Sequence, residues 1–280
     1  MHIHHIFCLA PHLARGGTVE NLNFSKVERM VQILSVAVFK ANHPRAHFKL
    51  YADSAGFAFL QRIGLDRLYD SIDTKTLDSM PSINHVKFWA GSKIFAYQDA
   101  LNKVENPIFI DIDAILWQPL DNFQFKSDIV AAHYETYNLP NWRQLFQNGA
   151  CDDASELLKS QPYQLNASFL WFRNSKKHSV YCGKSIHYML AHPQDTDLPI
   201  WAAMCYAEQV LLLDCCNKWA LSVNTLGSMN DPLFTQYWTH LWAQKALFRS
   251  DEKADAQEAN KILNVIQKYP NYFLWAKNSI

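Results

Sequence analysis

The sequence predicts an α/β protein in which a mixed, mostly parallel sheet of Rossmann type is flanked by helices. Short apolar segments alternate with amphipathic segments before residue 110, which is the order expected of β-α-β units. Hydrophobic residues make up 49% of the 280 residues, so the chain can bury a large core. An apolar segment at 106–117 contains two aspartates one residue apart, as at the carboxyl edge of a buried strand.

The first half of the chain has the pattern of a β-α-β start. A helix is predicted at 25–41, because apolar residues recur at helical spacing after Ser25, and Glu28 completes a capping box. The other elements predicted here are a strand at 3–10, a polar loop at 11–23, a strand at 48–52 ending at Asp53, a helix at 54–63 closed by Gly64, a strand at 68–72 and a helix at 85–101.

The second half mixes strands and helices around one irregular segment. Residues 134–163 combine aromatic, proline and polar residues without a clear period, so we expect a substrate-facing insertion there. The remaining predicted elements are strands at 128–133, 165–172 and 218–223, helices at 176–192, 199–215 and 251–267, and an aromatic tail at 269–275.

Composition limits the class of partner. Lys and Arg total 26 and Asp and Glu total 26, so global charge gives no argument for a nucleic-acid partner, and we expect none. The six cysteines show neither metal-binding nor disulfide spacing, which fits reduced thiols in a cytoplasm. Residues 1–9 lack signal-peptide character, and no run approaches the roughly 18 apolar residues of a membrane helix. We expect a cytoplasmic protein without an integral membrane segment; peripheral membrane contact stays open.

The two aspartates of the apolar segment are the strongest candidates for chemistry. On a regular strand Asp111 and Asp113 would share a face, with Ile112 opposite. Carboxylates beside so much apolar surface need compensation, and a hard divalent cation is the simplest source. The alternative is that one aspartate caps the next segment and the other forms a surface ion pair.

This arrangement of an apolar strand, Asp111-Ile112-Asp113 and a hydrophobic continuation resembles the metal-and-nucleotide motif of GT-A-fold glycosyltransferases. The resemblance is to small bacterial-type members and covers roughly residues 3–250. It implies a GT-A-like sheet and a manganese or magnesium ion that bridges Asp111 and Asp113 to the diphosphate of a nucleotide-sugar.

The same resemblance implies roles for residues on both sides of the motif. Asp53, Lys93, Asp111, Asn166 and Lys245 are expected to contact the nucleotide-sugar. Asn166 opens an Asn-Ala-Ser segment that is similar to the family's sugar-binding amide, with Ser168 in place of the family's glycine. A lysine that only covers an amphipathic helix is the competing interpretation for Lys93.

Glu208, Gln209 and His240 complete the implied site. The Glu-Gln pair is similar to the family's catalytic pair that faces the acceptor, and Glu208 is the candidate base if the enzyme inverts. If it retains, no nucleophile is evident. His240 would complete the metal sphere, and Lys245 would neutralise the leaving diphosphate, although the family's glycine between them is absent. A structural Glu208 and an aromatic-packed core His240 are the alternatives.

These expectations combine into a metal-dependent glycosyltransferase of hexosyltransferase type. It would transfer a sugar to a hydroxyl acceptor on a glycan, a lipid-linked glycan or a protein. We expect one catalytic domain at 1–250, with a nucleotide-binding half at 1–113, an acceptor half at 114–250 and a C-terminal helix and tail at 251–280 packed on it. The alternatives are a phosphohydrolase with Asp111 as nucleophile, disfavoured because the acidic strand lies past residue 100, and a non-catalytic binding protein of the same fold.

Overall fold

The structure is a computed structural model, and it describes residues 1–123, 125–136, 163–173, 178–194 and 200–278. Most of the predicted substrate-facing insertion at 134–163 therefore lies outside the described residues. Within the described part of the chain, every helix is too short or too polar to cross a membrane.

The strands confirm the predicted α/β class with a mixed, mostly parallel sheet. One seven-stranded sheet has the order β10-β6-β9-β4-β1-β2-β3, and β11 with β5 and β7 with β8 form two-stranded sheets. The described strands are β1 His2–Phe7, β2 His47–Ala52, β3 Ser71–Asp73, β4 Ile108–Ile110, β5 Ala114–Leu116, β6 Ile129–Ala131, β7 Tyr134–Thr136, β8 Tyr163–Leu165, β9 Phe169–Phe172, β10 Val223–Thr225 and β11 Trp238–His240.

The predicted helices occur in the predicted order with shifted ends. A π-helical turn, Tyr206–Val210, separates α7 from α8. The described α-helices are α1 Ala10–Ala14, α2 Lys26–Asn42, α3 Ser54–Arg62, α4 Lys75–Asp78, α5 Gly91–Lys103, α6 Ser179–Ala191, α7 Ile200–Cys205, α8 Leu211–Lys218, α9 Phe234–Tyr237, α10 Lys245–Ser250, α11 Glu252–Ile266 and α12 Pro270–Asn278. Five of these described helices were not predicted: α1, α4, α9, α10 and α12.

The chain divides into two compact units that are interleaved in sequence. Unit 1 comprises Met1–Asp78, Ile110–Gln124 and Asn230–Ile280. Unit 2 comprises Ser79–Phe109 and Phe125–Met229. The acidic pair therefore belongs to the same unit as the first two predicted strands and the C-terminal helices.

In unit 1, strands β1, β2 and β3 pair in parallel, and helix α2 packs against β5 and the C-terminal helices α10, α11 and α12. The predicted capping box is confirmed, since Ser25 accepts from the Glu28 backbone N–H and Glu28 accepts from the Ser25 N–H. Arg249 donates to both oxygens of buried Glu28, and Asp255 accepts from the first two N–H groups of α2. These contacts attach α10 and α11 to the N-terminus of α2.

In unit 2, β6 pairs with β10 in parallel and with β9 in antiparallel orientation. Helix α5 begins at Gly91, whereas the sequence predicts a start at 85. The physical reason is a turn in which the Asn84 side chain accepts from the N–H groups of Val86 and Lys87. The buried Lys87 ammonium donates to two backbone carbonyls of the chain after α6, which fixes that turn.

Candidate functional site

The two aspartates lie on a turn, so the expectation of a regular strand with both carboxylates on one face is wrong. Strand β4 ends at Ile110, and the Ala114 N–H donates to the Asp111 carbonyl at 3.0 Å to close the turn. Strand β4 does not continue into β5 because β5 pairs with β11 in a separate antiparallel sheet. His240 lies opposite Ala114 in that pairing, and the Leu241 N–H donates to the Asp113 carbonyl at 3.0 Å.

This pairing assembles a site that we call the acidic tip: Asp111, Asp113, His240 and Lys245. The His240 Nε2 atom lies 3.7 Å from Asp111 Oδ2 and 3.5 Å from Asp113 Oδ2. The Lys245 Nζ atom lies 2.7 Å from Asp113 Oδ2. Asp113 is buried, while the other three side chains are partly exposed. All four residues that the sequence predicts for this site are therefore brought together, within unit 1.

The acidic tip has the spacing and chemistry of a site for a divalent cation. One ligand atom from each of Asp111, Asp113 and His240 lies within 4.8 Å of the others, and among the described residues this is the group of three that meets that condition. Ligands at about 2.2–2.4 Å from one ion are separated by at most about 4.8 Å. Two carboxylates with one imidazole suit Mn²⁺, and carboxylates alone suit Mg²⁺.

A buried network of polar side chains lies in the same unit as the acidic tip and joins His5 of β1, Tyr69 and Gln32 of α2. His5 is fully buried, with its Nδ1 atom 3.0 Å from the Tyr69 hydroxyl, and Gln32 donates to that hydroxyl at 2.6 Å. Burial lowers the pKa of His5 to about 3, while the nearby Asp113 carboxylate acts in the opposite direction. His5 is therefore neutral at physiological pH and adds no positive charge next to Asp113.

Asp53, predicted to contact the cofactor, has a defined local role in unit 1. Its carboxylate accepts from the Gly56 N–H at 2.9 Å and so caps α3. It also accepts from the N–H groups of Leu9 and Ala10 at 2.9–3.0 Å, which fixes the chain that follows β1. The predicted contact of Asp53 with a nucleotide stays a prediction.

In unit 2 the structure pairs two residues that the sequence singles out separately. The Lys93 Nζ atom, in the first turn of α5, lies 3.0 Å from Glu208 Oε1. Glu208 is buried in the π-helical turn, and Tyr181 donates its hydroxyl to the Glu208 backbone carbonyl. π-Turns commonly occur at functional sites. Gln209 follows in the same turn, and its buried Oε1 atom has no hydrogen-bond partner among the described residues.

Asn166 belongs to a second group in unit 2, which we call the amide cluster: His133, Glu135, Gln164 and Asn166. Asn166 Nδ2 donates to Glu135 Oε1 at 2.6 Å, and Gln164 Nε2 donates to Glu135 Oε2 at 2.9 Å. The His133 Nε2 atom lies 3.3 Å from Glu135 Oε1. Carboxylate, amides and imidazole together form a network able to donate to and accept from sugar hydroxyls.

Ser168, in place of the family's glycine, has a clear structural role. The Asn166 Oδ1 atom accepts from the Ser168 backbone N–H at 3.0 Å and also from its hydroxyl. Because Glu135 accepts on the other side, the Asn166 amide is held in one orientation. Sequence reasoning misses Glu135, His133 and Gln164. Glu135 and Gln164 become neighbours only through the register of β7 with β8, for which the local sequence gives no signal.

Comparison with known proteins gives matches among solved structures only. No profile of a known protein family and no curated protein matches the chain. A structure of the galactosyltransferase LgtC in complex with donor and acceptor sugar analogs matches with a TM-score of 0.45 and 12% identity, over 93% of this chain and 96% of that one. The PaToxG glycosyltransferase matches with a TM-score of 0.43 and 14% identity, over 78% of this chain and 68% of that one.

A structure of a nucleotidyltransferase is also similar. A putative glucose-1-phosphate thymidylyltransferase from Bacillus anthracis, in complex with a sucrose, matches with a TM-score of 0.40 and 11% identity, over 92% of this chain and 95% of that one. Because all these TM-scores lie below 0.5, the function proposed below rests on the geometry of the site.

Proposed function

We propose that this chain is a metal-dependent glycosyltransferase of hexosyltransferase type, which moves a sugar from a nucleotide-diphosphate sugar to a hydroxyl acceptor. The observation that carries the proposal is the acidic tip. There, two carboxylates and an imidazole offer ligand atoms within 4.8 Å of one another, beside the ammonium of Lys245. A cation held in this way, with a lysine next to it, is suited to a diphosphate and much less to a neutral ligand.

Each residue of the acidic tip has a role in that chemistry. Asp111, Asp113 and His240 would hold Mn²⁺ or Mg²⁺. When bound, the ion would neutralise the diphosphate and support its departure as a leaving group. The Lys245 Nζ atom lies 2.7 Å from Asp113 Oδ2. Because a bound metal ion would neutralise that carboxylate, the Lys245 ammonium would become able to bind a phosphate oxygen.

Unit 2 would supply the contacts to the sugar and the acceptor. The buried Gln209 Oε1 atom, without a described partner, is suited to accept from a substrate hydroxyl. Lys93 lies 3.0 Å from Glu208 and holds its carboxylate in place, so Glu208 is oriented before substrate arrives. Asn166 would contact the donor sugar, with its amide fixed by Glu135 and Ser168.

Glu135 adds a second candidate for the general base if the reaction inverts. Its side chain is 30% exposed, against 7% for Glu208. A base must reach the acceptor hydroxyl, so the more accessible carboxylate is the better candidate. Glu208 then has the role of orienting the substrate.

The test is product analysis with a panel of UDP-, GDP-, CDP- and dTDP-sugars, with Mn²⁺ or after chelation. We expect release of the nucleoside diphosphate in the presence of metal, reduced at least about 100-fold by Asp113→Asn. Asp121→Asn, which removes an exposed carboxylate from the same segment of unit 1, is the matched control and should retain full activity. Phosphate release from monoesters in place of these products would favour the phosphohydrolase, and binding without turnover would favour a binding protein.

A further inference from the structure

The antiparallel pair of strands β7 and β8 in unit 2 has two faces of different chemistry. Tyr134 pairs with Leu165, Glu135 with Gln164 and Thr136 with Tyr163. Because side chains alternate along a strand, Glu135 and Gln164 point to the face of the amide cluster, and the two tyrosines point to the opposite face. The aromatic face is therefore on the side of the strand pair opposite the amide cluster.

The aromatic face opens on a cavity of about 560 Å³. Tyr134 and Tyr163 are 43% and 47% exposed, with ring centroids 6.2 Å apart and ring planes inclined at 67°. The described residues that line the cavity are Tyr134, Tyr163, Leu213, Asn217, Leu221 and Val223. Ligand pockets of about 300–1,000 Å³ are typically apolar and aromatic with a few polar groups, and this cavity has both features.

We propose that this cavity binds a neutral glycan through one or two sugar rings. The C–H face of a pyranose ring packs on an aromatic ring, while its hydroxyl groups need donors and acceptors at the edge, and tyrosine offers both. The inclined pair of tyrosines provides two such surfaces, Leu213 and Leu221 form an apolar wall, and the Asn217 amide can donate and accept.

The lining also selects against other ligands. All six described lining residues are uncharged, so they offer none of the cations that a nucleotide, a phosphate or an acidic sugar requires. A purely apolar ligand would offer no hydrogen-bond partner to the tyrosine hydroxyls. Burial raises the pKa of Tyr134, which keeps its hydroxyl protonated and able to donate. Glycan binding here does not depend on the acidic tip; that the glycan is the acceptor rests on the proposed transferase function.

The test is saturation-transfer difference NMR on the full chain, without nucleotide or metal, with lactose, cellobiose and maltose as probes. We expect transfer from the protein to the C–H protons of at least one disaccharide. Tyr134→Ala and Tyr163→Ala should each weaken binding at least about 10-fold, because each removes one of the two aromatic surfaces on which a sugar ring would pack. Leu190→Ala, at an exposed apolar position on α6 outside the cavity lining, is the matched control and should bind as wild type does.

Two outcomes would overturn the proposal: no transfer to any disaccharide, or transfer that both tyrosine variants retain. Binding of 1-decanol in preference to the disaccharides would show an apolar ligand and would also overturn it. Asp113→Ala distinguishes a failure of this proposal from a failure of the proposed transferase function. The variant should abolish glycosyl transfer and leave disaccharide binding unchanged. Circular dichroism of the tyrosine variants, together with Tyr163→Phe as a variant that keeps the ring, distinguishes lost binding from lost folding.

Discussion

The carboxylates of the acidic tip in unit 1 and those of Glu208 and Glu135 in unit 2 differ in how closely their partners approach. At the tip, the His240 nitrogen lies 3.5 and 3.7 Å from the two carboxylates, longer than a hydrogen bond. In unit 2, Glu208 and Glu135 accept from lysine or amide donors at 2.6–3.0 Å. Asp113 also has a lysine donor, Lys245 at 2.7 Å, but the spacing of Asp111, Asp113 and His240 leaves room for an ion between them. The carboxylates of unit 2 have their donors at hydrogen-bond distance in the protein itself.

At neutral pH, the largest expected effects come from removing one lysine in each unit. Lys93→Met removes the ammonium from buried Glu208 and should lower the free energy of unfolding by about 3 kcal/mol. Lys245→Met, at a side chain that is 30% exposed, should cost only about 1 kcal/mol. Urea denaturation with and without saturating Mn²⁺ measures both variants.

Manganese should separate the two variants. Mn²⁺ should restore Lys245→Met, because the ion replaces the ammonium beside Asp113, and should leave the deficit of Lys93→Met unchanged. The double variant Lys93→Met with Glu208→Gln, which removes both charges, should be more stable than Lys93→Met alone. Recovery of Lys93→Met by Mn²⁺, or no effect of Mn²⁺ on Lys245→Met, would remove the distinction between the two regions.

Buried histidines of unit 1 and buried thiols of unit 2 should give pH dependences of opposite sign. Burial lowers the pKa of His4 and His5, both in β1 of unit 1, to about 3, against about 6.5 in an unfolded chain. The unfolded state then binds more protons between pH 6.5 and 3. The free energy of unfolding should therefore fall as pH decreases through that window, by up to about 1.4 kcal/mol per pH unit for each histidine.

In unit 2 the buried thiols of α8 give the opposite dependence. Burial raises the pKa of Cys215 to about 11 and that of Cys216 to about 12, above the value of about 8.5 in an unfolded chain. Stability is then full below pH 8.5 and falls as pH rises toward 11. In urea denaturation across pH, His5→Asn should flatten only the acid side and Cys215→Ala only the alkaline side. A change on both sides with either variant would contradict this assignment.

The smallest effects concern two helix ends with left-handed backbone. Gly64 after α3 in unit 1 has φ +74°, and a Cβ there would meet only an ordinary contact with Trp275. Ala220 after α8 in unit 2 has φ +49° and carries a side chain in that conformation. Gly64→Ala should cost about 1 kcal/mol, while Ala220→Gly should gain about 0.5 kcal/mol, as measured by urea denaturation. Equal signs for the two changes would show that the backbone strain at Ala220 is relieved elsewhere.

The parts of the fold that the sequence predicts correctly depend on residues that are close together in the chain. The capping box of Ser25 and Glu28 and the strand at 48–52 depend on neighbours within a few residues, and the structure has both. The residues of the acidic tip were found for the same reason, since Asp111 and Asp113 form one short motif and His240 lies in a distinctive aromatic setting.

Features that depend on pairing between distant segments were not predictable. The turn that carries Asp111 and Asp113 exists because β5 pairs with β11, more than 100 residues further along the chain. Glu135 is 29 residues from Gln164 and contacts it only through the register of β7 with β8. The pairing of Lys93 with Glu208 across 115 residues is likewise a property of the packed helices, so the sequence could indicate each residue but not their contact.

The most direct test of a metal-and-diphosphate site at the acidic tip is thermal unfolding with UDP, GDP, CDP or dTDP, each with and without Mn²⁺, on wild type and Asp113→Ala. A ligand that binds only the folded state raises the midpoint by mass action. We expect at least one nucleoside diphosphate to raise the midpoint of wild type in the presence of Mn²⁺, and no such shift in Asp113→Ala. A shift that is indifferent to Mn²⁺ and to Asp113, or no shift with any nucleotide, would contradict the assignment of the acidic tip.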